Sequence, residues 1–186
     1  MGTAPGKLGT GAALLVIDLQ WGLFQRPTPV HAEKSLLSNI VGLIAAAHAA
    51  GAPVVFVRHS NKMLVAGAAT WELHPGVRPR EDDLLLDKTQ GDAFQNTELD
   101  ALLNARSVGT IYVTGLVTEG CVRATCLGGV KRGYHVVLVS DAHSSFHRDA
   151  ANRIRDLNET LAAQLGGVIP ANEVDFTTHN SQQVWD

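Results

Sequence analysis

Cysteine is scarce in this sequence: the 186 residues include two, Cys121 and Cys126. Small secreted domains held together by disulfides carry more, so a disulfide framework is excluded. Residues five positions apart on a helix point about 140° away from each other, so a single bridge between these two is not expected either. The count fits a protein from a reducing compartment.

An excess of positive charge is also missing. Fifteen Lys and Arg residues stand against eighteen Asp and Glu residues, which gives a formal net charge of −3. Proteins that follow a phosphate backbone normally present a basic face, and no run of the sequence supplies one. We therefore expect no nucleic-acid partner.

A long hydrophobic run is absent as well. The apolar run nearest the N-terminus covers residues 12–17, too short for a bilayer span or for the core of a signal peptide. We therefore expect a cytoplasmic protein with no membrane partner. The length suits one domain, which we place at residues 12–186 after a flexible, glycine-rich tail at residues 1–11.

What the sequence does contain is a regular alternation of short apolar runs with helical patterns. Continuous apolar strands separated by helices indicate a parallel sheet that is covered on both faces. The prediction is an α/β fold of the Rossmann-like type, a three-layer α/β/α sandwich around a six-stranded parallel sheet. The predicted strands are Ala12–Leu19, Pro53–Arg58, Leu84–Asp87, Thr110–Leu116, His135–Ser140 and Gly167–Pro170; the predicted helices are Glu33–Ala50, Thr97–Arg106, Gly120–Arg132 and Arg148–Leu165.

One irregular stretch, Ser60–Asp83, is long for a compact domain. Loops of this length are usually functional or lie at an interface. We expect this loop, or the helix that follows the fourth strand, to contribute to contacts between subunits.

Reactive side chains follow several predicted strands, at the edge where ligands bind in open parallel sheets. Asp18 closes the first strand, His59 follows the second, Lys88 follows the third and Cys121 begins the helix after the fourth. A helix N-terminus and a nearby cation favour a thiolate, so the residues predict a nucleophilic Cys121 with a lowered pKa. Each residue also has an ordinary structural explanation: a buried cysteine, a strand cap or a solvated lysine. Lys88 gains interest because its strand is expected to neighbour the first.

Other sequence motifs typical of catalysis or cofactor binding are absent or incomplete. No dinucleotide fingerprint, phosphate loop or serine elbow is present. His143 and His147 lie near Asp149, but no third and fourth zinc ligands stand at a suitable spacing. The sequence therefore predicts no metal and no cofactor. Cys126, one helical turn beyond Cys121, is expected to be a packing residue.

Taken together, the segments AALLVIDLQ with Asp18, LLLDK with Lys88 and GLVTEGCVRATCLGGVKRGYHVVLVSDAHSS with Cys121 resemble the isochorismatase-like cysteine hydrolases. The resemblance runs from about residue 12 to residue 171. It implies the isochorismatase-like fold, a catalytic triad of Asp18, Lys88 and Cys121, and a homo-oligomer, dimeric or tetrameric. It also implies a cis peptide bond between Leu116 and Val117.

The mechanism that the resemblance implies is chemically coherent. Asp18 takes the thiol proton, Lys88 keeps Asp18 ionised, and Cys121 attacks the carbonyl of a small amide to form an acyl-enzyme. The backbone N–H groups of Val117 and Cys121 are then the expected oxyanion hole. The expected partner is a small-molecule amide substrate.

Departures from the superfamily narrow this expectation. Nicotinamidases usually have an Asp-x-His metal site after the second strand, whereas this chain has Arg58-His59-Ser60-Asn61, so a metal-assisted nicotinamidase is disfavoured. Two alternatives stay open: an isochorismate-type vinyl-ether hydrolase, which has no need of a thioester, and a catalytically silent ligand-binding module. The residues expected to contact substrate are Gln20, Leu23, His59, Trp71 and Phe146.

Overall fold

The computed structural model describes residues 9–177, and six parallel strands form the centre of this part of the chain. The strand order is β3-β2-β1-β4-β5-β6. The predicted six-stranded parallel sheet is confirmed. The strands are β1 (Gly11–Ile17), β2 (Val54–His59), β3 (Leu84–Lys88), β4 (Val108–Leu116), β5 (His135–Ser144) and β6 (Gly167–Ile169).

Helices cover both faces of the sheet and complete the predicted three layers. One face carries α2, whose side chains pack in a core with alternate β1 residues such as Leu14 and Val16. The other face carries α3, α4 and α5, packed against Leu15 and Ile17. The α-helices are α1 (Trp21–Phe24), α2 (Glu33–Ala49), α3 (Leu99–Asn104), α4 (Arg123–Lys131) and α5 (Ala150–Ala162); a π turn spans Thr118–Val122 and a 3₁₀ turn spans Ala171–Glu173.

This arrangement follows from the sequence pattern of the strands. Successive side chains of a strand point to opposite faces, so a strand that is covered on both faces must be apolar at every position. Residues 12–17 of β1 meet that requirement, since all six are buried.

Two of the differences between the predicted and the observed strand boundaries have a clear structural cause. Gly11, assigned to the tail, is the first residue of β1 because its N–H donates to the Ser107 carbonyl at 3.0 Å. Strand β5 continues four residues past Ser140, because the pairing with β4 shifts register between Val113 and Gly115 and then resumes. Residues 1–8 of the predicted tail and the segment 178–186 lie outside the described residues.

The long loop 60–83 is anchored to the segment that follows β1. The N–H groups of Trp21 and Gly22 donate to the Glu72 and Thr70 carbonyls, and the His74 N–H donates to the Leu19 carbonyl. The loop therefore covers the chain immediately after Asp18.

None of the helices that the structure describes is both long and apolar enough to cross a bilayer.

Candidate functional site

The strand order reverses between β1 and β4, and the predicted reactive residues gather at the carboxyl end of this region. Such a switch point opens a crevice in parallel sheets. Asp18 directly follows β1, Lys88 is the last residue of β3, and Cys121 lies in the π turn after β4. Asp18 has a φ of 49°, in the left-handed region, which turns the chain away from the strand direction at this edge.

β1 lies between β2 and β4, and β3 is one strand further out. The expectation that the strand of Lys88 would adjoin the first strand is therefore wrong. Lys88 pairs with His59 across the β2–β3 register. Its long side chain reaches past β2, and its Nζ donates to Asp18 Oδ2 at 2.8 Å. The Lys88 side chain is fully buried and that of Asp18 is 4% exposed, so this ion pair is shielded from solvent.

The second oxygen of Asp18 is not bonded to Lys88. Asp18 Oδ1 is buried and has no hydrogen-bond partner among the described residues. One ligand-type atom each of Asp18, His59 and Cys121 lies within 4.8 Å of the others. The Asp18 carboxyl group, one oxygen of which has no hydrogen-bond partner among the described residues, therefore lies close to the sulfur atom.

Burial has the largest effect on the pKa values of Asp18 and Cys121. It raises the pKa of Asp18 above its ordinary 3.8, although the Lys88 ammonium opposes the rise through its charge and its hydrogen bond. Burial, and then the Asp18 charge, raise the pKa of the Cys121 thiol to about 11. The predicted low thiol pKa is therefore wrong for the unliganded site: desolvation and a neighbouring anion outweigh the helix terminus and the lysine.

His59 is a second acceptor for Lys88. Its Nδ1 lies 3.1 Å from Lys88 Nζ. An ammonium nitrogen can only donate, so Nδ1 carries the lone pair. Burial and the Lys88 charge hold the pKa of His59 below its ordinary value, while a bond to the Gln90 backbone opposes this. A neutral His59 therefore helps to fix the ammonium beside Asp18.

The segment before Cys121 has an irregular backbone. The peptide bond between Leu116 and Val117 is cis, as the resemblance implies. The Val117 carbonyl accepts from the N–H groups of Gly120 and Val122 at 3.0 and 3.2 Å. Gly120 itself has non-helical angles (φ −108°, ψ −110°). Local hydrogen bonds, and not a regular helix, therefore shape the turn that carries Cys121.

Gly115 explains how β4 approaches β1 so closely at this point. Its φ of 108° is unfavourable for residues with a side chain. A Cβ at this position would overlap the Ile17 carbonyl oxygen. Glycine is thus required where β4 leads into the cis bond.

Two residues expected to contact substrate form hydrogen bonds that anchor the loop 60–83. Gln20 is fully buried, and its Nε2 donates to the His59 and Trp71 carbonyls while its Oε1 accepts from the His59 N–H. Both amide protons are therefore engaged. Trp71 is 7% exposed, lies 3.7 Å under the Arg58 guanidinium and donates to Ser60 Oγ. Together Gln20 and Trp71 hold the loop 60–83 beside His59.

The other predicted contacts keep accessible surface. Leu23 and Phe146 are half-buried; Leu23 packs at the margin of the core on the α2 face, and the Arg26 guanidinium lies 4.1 Å above the Phe146 ring. His59, also half-buried, lies closest to the reactive atoms. Substrate contact by these three residues stays a prediction.

Asp18, His59 and Cys121 are also the group of possible metal ligands within the described residues. The donor set is mixed, with one oxygen, one nitrogen and one sulfur. The Lys88 ammonium already bonds Asp18 and His59 at 2.8 and 3.1 Å. A cation there would face that charge, so the arrangement suits a triad better than a metal centre. His143 and His147 belong to no such group among the described residues.

Sequence reasoning missed a series of hydrogen bonds that ends at Thr118, in the turn that carries Cys121. Buried His143, considered above as a zinc ligand, bonds Thr118 Oγ1 through Nδ1 at 2.8 Å and Asn158 Oδ1 through Nε2 at 2.9 Å. No motif marked Thr118 or Asn158. The available signal was a histidine placed just after an apolar strand, where it becomes buried.

Comparison with known proteins agrees with this geometry. A family model described as the isochorismatase domain matches residues 12–168. A streptothricin hydrolase of Streptomyces noursei is 36% identical over 156 residues, which cover 82% of this chain and 55% of that protein. The chain therefore spans about half the length of that relative.

Two further relatives cover both partners more evenly. A maleamate amidohydrolase of Pseudomonas putida is 27% identical over 161 residues, 76% of each chain. The crystal structure of a cysteine hydrolase from Pseudomonas syringae has a TM-score of 0.81 and 28% identity, over 93% of this chain and 95% of that one.

Proposed function

The chain belongs to the isochorismatase family, and we propose that it hydrolyses a C–N bond of a small amide with Cys121 as nucleophile. The observation that carries this proposal is that the two carboxylate oxygens of Asp18 have different surroundings. One carboxylate oxygen accepts from Lys88 at 2.8 Å, the other is buried without a hydrogen-bond partner among the described residues, and an oxygen of this carboxyl group lies within 4.8 Å of the Cys121 sulfur. A general base needs such an arrangement: a held charge and a free oxygen within reach of the proton.

The first half of the reaction uses that free oxygen. Asp18 Oδ1 takes the proton from Cys121 Sγ as the sulfur attacks the amide carbonyl carbon, and a C–S bond forms. Because the thiol pKa is about 11 in the unliganded site, the thiol keeps its proton at rest. Proton transfer and attack are therefore expected to be coupled. The raised pKa of Asp18 makes it a better proton acceptor.

The developing oxyanion needs N–H donors near the turn. Among the described residues, the Val117 N–H donates to no backbone carbonyl, which supports its assignment, with the Cys121 N–H, to the oxyanion hole. Each such donor typically contributes about 3–4 kcal/mol. Lys88 stays paired with Asp18 and keeps a positive charge next to the changing carboxyl group.

Collapse of the tetrahedral intermediate breaks the C–N bond. Asp18 returns the proton to the departing amine, which leaves a thioester on Cys121. Water then attacks the thioester carbonyl while Asp18 takes its proton, and the proton finally returns to the sulfur as the carboxylic acid leaves. Atoms and charge balance with water as the co-reactant.

The relatives support the reaction class. One is named a streptothricin hydrolase, one a maleamate amidohydrolase and one a cysteine hydrolase. The first name specifies hydrolysis without naming a bond, the second specifies an amide, and the third specifies a cysteine hydrolase. The coarse class is therefore better supported than any one substrate.

The test is a panel of small amides, including maleamate and streptothricin, assayed for amine or ammonia release. The wild-type chain is expected to cleave a member of the panel, and Cys121→Ala to abolish that turnover. Cys126→Ala is the matched control, because this second thiol is fully buried in the core on the α4 face. Retained turnover in Cys121→Ala would contradict the thioester mechanism and favour hydrolysis without a nucleophile, as in the vinyl-ether alternative.

A further inference from the structure

A one-way chain of hydrogen bonds runs from α5 to the π turn that carries Cys121. Asn158 on α5 donates from Nδ2 to the Ser140 carbonyl at 3.1 Å. Its Oδ1 lies 2.9 Å from His143 Nε2, and His143 Nδ1 lies 2.8 Å from Thr118 Oγ1. Thr118 is the first residue of the π turn and His143 lies near the end of β5.

The direction of every bond in this chain is determined. Because the Asn158 amide nitrogen donates to a carbonyl, its oxygen faces His143 and can only accept. Nε2 of His143 therefore carries the proton. In a neutral ring Nδ1 then carries the lone pair, so the Thr118 hydroxyl donates to it.

The surroundings keep the ring neutral. His143 is 3% exposed, and burial lowers its pKa. The nearest charges, Asp141 and Glu119, favour the protonated ring, as does the bond to Asn158, but burial has the larger effect. The Glu119 carboxylate is itself engaged with Ser145 Oγ at 2.9 Å.

The chain also explains an irregularity of β5. Ser140 lies in the stretch between Leu138 and His143 where the pairing with β4 changes register. Asn158 supplies its carbonyl with a donor, so the shifted strand end is fixed to α5. His143 is thus held in place at both its backbone and its ring.

The series of hydrogen bonds from Asn158 through His143 ends at Thr118, in the turn that carries Cys121. It is fully buried and lies three residues before Cys121. The turn between them contains the non-helical Gly120, so regular helix bonding does not set the position of the sulfur. From this geometry we infer that His143, fixed by Asn158, is a positioning residue that holds Thr118 and thereby places Cys121 against Asp18. This inference rests on the proposed function for its catalytic meaning, although the placement itself is independent of any substrate.

Thr118→Val is the direct test, because it removes the donating hydroxyl and keeps the shape of the side chain. When Cys121 moves away from Asp18 and from its buried position, the thiol pKa is expected to fall from about 11 toward its ordinary value of about 8.5. The pH profile of Cys121 alkylation by iodoacetamide reports this shift and needs no substrate. Thr118→Ser restores the hydroxyl and is expected to restore the wild-type profile.

A turnover assay adds a second readout. Misplacement of a reacting atom by about 1 Å can cost about 10²-fold in rate, so Thr118→Val is expected to lower kcat by about that factor with little change in KM. His135→Asn is the matched control, since this histidine lies at the opposite, exposed end of the same strand. It is expected to change neither readout.

The outcomes separate the two proposals. If folded Thr118→Val keeps the wild-type alkylation profile, the positioning role is overturned whatever the enzyme hydrolyses. If the profile shifts and no amide is cleaved by the wild type, positioning stands and the proposed function fails. Should Thr118→Val not fold, Asn158→Leu breaks the chain two bonds away from Thr118, and an unchanged profile in that variant overturns the inference equally.

Discussion

Replacing Lys88 with methionine removes the charge that compensates Asp18 and keeps most of the side-chain volume. Both side chains are buried, and the ammonium is 2.8 Å from the carboxylate. Removing one partner of a buried ion pair typically costs about 3–5 kcal/mol when the other keeps its charge. The remaining carboxyl group has another option, which is to take up a proton.

The two options can be compared in magnitude. Protonating a carboxyl group with an ordinary pKa of 3.8 costs about 4 kcal/mol at pH 7 and less than about 2 kcal/mol at pH 5. At pH 7 the costs are similar, so Lys88→Met is expected to destabilise the fold by about 3–4 kcal/mol. At pH 5 protonation is the cheaper option. The destabilisation is then expected to shrink by about 2 kcal/mol.

The sign follows from proton binding. Above the ordinary pKa the unfolded Lys88→Met chain is deprotonated at Asp18, whereas the folded chain holds one more proton. Stability therefore falls as pH rises, by up to about 1.4 kcal/mol per pH unit.

Urea unfolding at pH 5, 6 and 7 measures this difference between wild type and variant. Lys34→Met, an exposed lysine at the start of α2, is the matched control and is expected to leave the free energy of unfolding nearly unchanged at each pH. A Lys88→Met destabilisation that stays constant with pH, or that is absent at pH 7, would refute the reasoning about the buried pair. Amide hydrolysis is expected to be lost in Lys88→Met at pH 7.

Three further predictions concern the thiol, the β4 glycine and the loop. Alkylation of Cys121 is expected to keep accelerating with pH up to about 11, and a plateau below pH 8 would contradict the structure. Gly115→Ala is expected to lower the free energy of unfolding by several kcal/mol, because the new Cβ meets the Ile17 carbonyl. The control Gly42→Ala, in α2 where the space is open, is expected to raise it by about 0.5–1 kcal/mol. Equal urea midpoints for the two variants would argue against this packing. Gln20→Leu removes three hydrogen bonds, one buried and two partly buried, and is expected to speed tryptic cleavage in the loop 60–83. An unchanged cleavage rate would show that Gln20 does not anchor it.

The fold was predictable because its signals are local. A strand covered on both faces must be apolar at each position, and residues 12–17 show this directly in the sequence. The extension of β5 to Ser144 was not predictable, since the shifted carbonyl of Ser140 is satisfied by Asn158, a residue 18 positions away. Strand order was equally hidden: the placement of Lys88 one strand further from Asp18 depends on how the crossovers pack.

The site likewise has features that the sequence indicates and features that depend on long-range packing. Asp18, Lys88 and Cys121 were found through their positions after strands and through the resemblance, and the structure brings them together. The roles of Gln20 and Trp71 could not be read from the sequence, because their side chains bond backbone atoms of a loop whose course was unknown. The thiol pKa was misjudged for a related reason: the helix terminus can be seen in the sequence, whereas the burial that outweighs it cannot.

The central claim, a covalent intermediate on Cys121, is tested most directly by acid-quenching the enzyme during turnover of an amide from the panel and weighing its tryptic peptides. Cleavage after Arg106 and Arg123 isolates Cys121 in the peptide 107–123, and cleavage after Lys131 isolates Cys126 in the peptide 124–131. The account predicts an added acyl mass on the first peptide and none on the second. An unmodified peptide 107–123, together with full turnover by Cys121→Ala, would contradict it.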